Sequence, residues 1–114
     1  MTEHDRAAIC LRAVTHFGPH SRLLKTAEEC SELAAAITRW INPNEGHDPT
    51  QVFDGMIEEV ADVTIMIAQL GSMLGDRADT KGRTWQMIME EKLRALEARM
   101  NAEREEAVLD GDDD

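Results

Sequence analysis

Between Thr50 and Leu74 the chain is apolar around most of a helical circumference, through Val52, Phe53, Met56, Ile57, Val60, Val63, Ile65, Met66, Ile67 and Leu70. A helix that is apolar all round has to be covered on every side, and only 114 residues are present to do it. A domain of this size buries roughly two thirds of the surface its unfolded chain exposes, so a second protomer is expected to complete the core. The same stretch carries no Lys or Arg, and the chain has none between Arg39 and Arg77. An acid placed there must find its counter-charge on another element.

The remaining segments also read as helices. Thr2 can cap one that runs to about Phe17, with Gly18-Pro19 as its stop. A second, from about His20 to Ile41, repeats Leu23, Ala27, Cys30, Leu33, Ala34, Ile37 and Ile41 in steps of three and four, which predicts an inward stripe. Asn42 to Thr50 holds two prolines and a glycine and is expected to be a loop. The apolar third helix follows to about Leu74, then a loop from Gly75 to Gly82. A fourth helix, from about Thr84 to Ala107, sets Trp85, Ile88, Met89, Leu93, Leu96 and Met100 on one side. Aromatic residues are scarce and Tyr is absent, which starves a sheet and suits helices. The expected fold is all-α, a four-helix bundle or a pair of helical hairpins over residues 1–107, with 108–114 a disordered acidic tail.

The formal charge is −11. Such a balance repels phosphate backbones and argues against duplex nucleic acid as a partner; a free nucleotide is different, because a metal ion can bridge two anions. Cys10 and Cys30 form neither a CxxC pair nor a zinc-ligand spacing, and both are expected to be half-buried, Cys30 facing inward. No apolar run approaches the roughly 20 residues that span a bilayer, and Met1 to Arg12 lacks a signal-peptide core. The expectation is a soluble cytoplasmic protein without a membrane partner.

Two acidic clusters carry the chemistry. Glu28-Glu29-Cys-Ser-Glu32 lies on the second helix and Glu58-Glu59-Val-Ala-Asp62 on the third. Each holds carboxylates at i and i+3, about 60° apart on a helix and on the order of 4.5 Å along its axis, so a pair can hold one cation. On a helical wheel Glu29 borders the apolar stripe of its helix, and Glu59 falls among Val52, Met66 and Leu70. An ionised carboxylate in such surroundings costs several kcal/mol unless it is paired or coordinates a metal. A donor set of carboxylates without His or Cys selects a hard ion, Mg²⁺ or Mn²⁺. A guanidinium or ammonium filling the space between these acids would argue against a metal there.

The segments His16-Phe17-Gly18, Leu24-Lys25-Thr-Ala-Glu28-Glu29-Cys-Ser-Glu32-Leu33, Ile57-Glu58-Glu59-Val-Ala-Asp62-Val63 and Glu91-Lys92-Leu93-Arg94-Ala-Leu96-Glu-Ala-Arg99 together resemble the MazG-like, all-α nucleotide pyrophosphohydrolases. That family carries EExxE, a spacer and ExxD; here 26 residues separate Glu32 from Glu59. The resemblance covers about residues 13–100. It implies that Glu29, Glu32, Glu59 and Asp62 ligate Mg²⁺, that Glu28, Glu29 and Glu59 serve catalysis, and that Lys25, Lys92 and Arg99 meet the phosphates. It further implies a homodimer or a dimer of dimers.

The activity so implied is hydrolysis of a nucleoside triphosphate to its monophosphate and pyrophosphate by a metal-activated water. No GxxxxGK[ST] loop is present, so a P-loop mechanism is excluded. A phosphoribosyl-ATP pyrophosphohydrolase shares the same carboxylate logic. A non-catalytic acidic helical interaction module, using Trp40, Trp85 and the tail, is the reading from a different class.

Overall fold

A computed structural model describes residues 1–43 and 46–112. It is helical, in the order α1 (Glu3–Phe17), α2 (Pro19–Ile41), α3 (Pro49–Leu74) and α4 (Trp85–Asp112). Among the described residues there is no strand, and a single isolated bridge joins Ala78 to Thr84. No described helix is long and apolar enough to cross a membrane. The chain divides into two compact units, Met1–Gly75 and Asp76–Asp114.

Two helices start on side-chain caps, the first at the Thr2 that the sequence singles out. Thr2 Oγ1 accepts from Asp5 N at 3.0 Å while Thr2 N donates to Asp5 Oδ2 at 2.8 Å, a complete capping box. Asp48 Oδ1 accepts from Thr50 N at 2.9 Å, ahead of Pro49 in the first turn of α3. One residue, Gly18, separates α1 from α2; its φ of 89° and ψ of 149° are open to glycine and closed to residues with a Cβ.

In the first unit α2 and α3 form an antiparallel hairpin. Glu29 meets Glu59 and Trp40 meets Phe53, with ring centroids 5.1 Å apart, so the partner's number falls on α3 as it rises on α2. The α1 helix packs chiefly on α3 and less on α2. The dry part of this unit is small: Cys10, Val14, Ala36 and Met66 are its buried apolar residues, joined by Thr26, Glu29 and Gln69.

This core corrects the sequence reading of α2. Its buried face is Thr26, Glu29 and Ala36, with Leu33 of the predicted inward stripe half-buried beside them, while the rest of that stripe, Leu23, Ala27, Cys30, Ala34, Ile37 and Ile41, is exposed. Two arcs of α2 can be buried, and periodicity does not say which one the protomer uses. The hairpin turns its narrower, polar-containing arc inward and leaves the wider apolar one outside.

The second unit is α4 preceded by a turn. Asp79 Oδ1 accepts from Lys81 N and Arg83 N, and its Oδ2 accepts from Arg83 Nε and Nη2, so the guanidinium is held and its Nη1 reaches Glu91 Oε2 at 2.8 Å. Those contacts hold the Asp79 carboxyl below its usual range, backbone donation from Arg83 contributing most. The α4 helix continues through Val108–Asp112, where composition predicts disorder; Glu105-Glu106-Ala107-Val108-Leu109 is a run with enough helix formers to carry it on. Residues 113 and 114 of the expected tail lie outside the described residues.

Candidate metal centre

Thr26 anchors the first wall of the site: its side chain is buried and its hydroxyl donates to Arg22 O at 2.7 Å. Glu29, one turn further along the same face, is thereby carried into the hairpin and is 6% exposed. From α3, Glu59 is brought opposite it. Carboxylate oxygens of Glu29, Glu59 and Asp62 lie within 4.8 Å of one another, and those of Glu28, Glu29 and Glu32 form a second such group. Glu29 belongs to both. The two helices therefore bring together all five of the acids that the sequence singles out.

Their electrostatics are unequal. Lys25 Nζ stands 3.0 Å from Glu29 Oε1 and 3.7 Å from Glu28 Oε1. This contact holds the Glu29 carboxyl below its ordinary range and raises the lysine. Glu59 goes the other way, pushed up first by burial and then by the charges of Glu32 and Glu29. Glu32 is raised too, chiefly by Glu29.

Lys25 is the ammonium whose presence would argue against a metal, and its reach decides the matter. It touches Glu29 by one oxygen and leaves Glu29 Oε2, like Glu59 Oε2, buried without a hydrogen-bond partner. Among the described residues no ion pair includes Glu32, Glu59 or Asp62. One lysine against five acids leaves the site strongly anionic, and its donors are all oxygen. That set fits a small hard dication, and two of its oxygens are buried without a hydrogen-bond partner.

Lys92 and Arg99 are exposed positions of α4, in the other unit. Cys30, expected to face inward, is exposed. Three features were missed from sequence. Gln69 is buried with its Oε1 unpartnered. Arg22 lies over the Phe17 ring at 4.2 Å with a buried, unpartnered Nε. A cavity of about 190 Å³ at the loop end of the hairpin is lined by Arg39, His47, Asp48, Gln51, Val52 and Gly55, apart from the acids. The spacing of Arg22 from Thr26 and Glu29, four and then three residues, is the one signal that could have placed it inward.

No protein-family model matches the chain, and neither a curated protein sequence nor a solved structure is significantly similar to it.

Proposed function

We propose that this chain is a Mg²⁺-dependent pyrophosphohydrolase of nucleoside triphosphates, acting in the cytoplasm. The observation that carries the reading is the pair of buried, unpartnered carboxylate oxygens, Glu29 Oε2 and Glu59 Oε2, presented by facing helices. Burying charge at this density is costly unless a cation compensates it. Glu29, Glu32, Glu59 and Asp62 would hold Mg²⁺, with Mn²⁺ as a substitute, and the sharing of Glu29 between two ligand groups leaves room for two ions.

When bound, the metal neutralises phosphate oxygens and lowers the pKa of a coordinated water. The protein's own part is positional. Glu28, exposed beside Lys25, would orient a water. Lys25 can turn from Glu29 to a phosphate, and Lys92 and Arg99 are the proposed cations of α4. One water is consumed, and the bond between the α phosphorus and its bridging oxygen opens to give a monophosphate and pyrophosphate.

The test is pyrophosphate release over the canonical and several damaged nucleoside triphosphates, and phosphoribosyl-ATP, with Mg²⁺. Glu59→Gln should lower turnover on the order of 100-fold or more while remaining folded. A variant that turns over at the parental rate would overturn the assignment. Millimolar Mg²⁺ should also raise the Tm, by ~10 °C at a hundredfold excess over Kd, and a chelator should reverse it. An interaction module would ignore the ion in both assays.

A further inference from the structure

The cavity at the loop end of the α2–α3 hairpin stands apart from the acids, yet it lies on the same side of the hairpin. Glu29 and Glu59 mark the directions in which the two helices face one another, and Glu28, Glu32 and Asp62 stand roughly 60–100° round from them in one sense. Arg39, Gln51 and Gly55, which line the cavity, stand roughly 40–80° round in that same sense. Because the helices are antiparallel, equal rotations fall on one side. Along the axes the cavity is displaced toward the loop, Gly55 by about 6 Å from Glu59 and Arg39 by about 10 Å from Glu32.

The lining is unlike that of a solvated crevice. Gly55 belongs to the interior of α3, where glycine is the poorest helix former after proline, and a Cβ there would meet nothing within 4 Å. Packing within the chain does not call for a glycine at this point; its effect is to leave bare backbone on the cavity wall. Val52 beside it is apolar and half-buried. Around the mouth stand the Arg39 guanidinium, the His47 ring, the Gln51 amide and the Asp48 carboxylate. Asp48 Oδ1 accepts from Thr50 N, and among the described residues no ion pair includes Asp48 or Arg39. At about 190 Å³ the space falls short of the roughly 300–1,000 Å³ that encloses a whole drug-sized ligand. It suits a single ring system.

We infer that this cavity holds the base of the substrate and that the base is guanine. The inference rests on the hydrolase reading for the place of the phosphates: with a metal ion among the acids, a nucleotide's sugar spans the step to the cavity. Three features choose the base. The bare helical wall and Val52 accept the flat face of a ring, and the His47 imidazole offers a plane to stack upon. The guanidinium fork of Arg39 matches the paired O6 and N7 acceptors of guanine, whereas adenine presents its N6 donor there and a pyrimidine has no N7. Asp48 Oδ2, an acceptor, complements the N1 and N2 donors at the adjoining edge of guanine. A site that hydrogen-bonds one base in this way rejects analogues that leave its polar groups unpaired.

The test is titration calorimetry of the full chain in Mg²⁺ with GMP, AMP, CMP and UMP, which have no pyrophosphate to lose and so report binding without turnover. GMP should bind at least ~10-fold more tightly than the other three. Arg39→Leu should erase the difference between GMP and AMP. Gly55→Leu should weaken GMP at least ~10-fold by filling the wall, while its Tm stays at or above the parent's, since leucine is the better helix former. Equal affinities for the four monophosphates overturn the inference, as does a failure to bind any of them. A preference for AMP, which Gln51 could read, overturns it too, and so does a GMP preference that survives both substitutions, because the base is then read elsewhere. The two readings fail separately. Pyrophosphate release without base preference sinks this inference alone, and GMP preference in a chain that releases no pyrophosphate from any triphosphate sinks the hydrolase reading.

Discussion

At the scale of single residues, Lys25 is the most instructive contact. Its ammonium occupies one oxygen of the carboxylate that both ligand groups need, so an incoming dication competes with it. Lys25→Met should therefore bind Mn²⁺ several-fold more tightly in titration calorimetry and yet turn over more slowly, because the cation released toward the phosphate is gone. Acid titration separates the other acids. Glu32 and Glu59 are held above the ordinary carboxylate range, so the folded chain binds more protons than the unfolded one between the two sets of pKa values. Their contribution to stability is present in acid and lost as pH rises through the folded values. Glu29, lowered by Lys25, and Asp79, lowered by its turn, act in the opposite sense, losing their contribution as pH falls. In chelator, the change in Tm between about pH 5 and about pH 7.5 should become less negative in Glu59→Gln than in the parent, since one raised group is removed. An unchanged profile would mean that Glu59 is not the strained member of the cluster.

At the scale of elements, the junction between α1 and α2 is the tightest joint in the first unit. Gly18→Ala forces a Cβ into a backbone region reserved for glycine, and urea unfolding should report a loss of about 2 kcal/mol. Most helix boundaries were legible in the sequence because they are written locally: Thr2 caps, and Gly18, Pro19, Pro49 and Gly75 punctuate; the Asp48 cap and the end of α4 were not read. The nearness of Glu29 to Glu59 and Asp62, and to Glu28 and Glu32, was legible in part, since acids spaced i, i+3 share one side of a helix. The facing of α2 was not. Its burial of Glu29 in place of Cys30 depends on which arc meets α3, and the apolar period is the same whether that arc or a second copy does the covering. Gln69 and Arg22 were invisible for a related reason, because a polar residue inside an otherwise apolar pattern reads as a solvated position until its neighbours are known.

At the scale of the whole molecule, the sides of one hairpin carry opposite chemistry. One concentrates carboxylates, and the other is stripped of charge and left apolar. The scarcity of dry interior has its own consequence. With four buried apolar residues among those described, the chain has little dry interior of its own, and should copies associate, dilution would act on it as a mild denaturant. Its melting temperature should climb with protein concentration in a calorimeter, and nanomolar and micromolar assays would sample different species from the same tube.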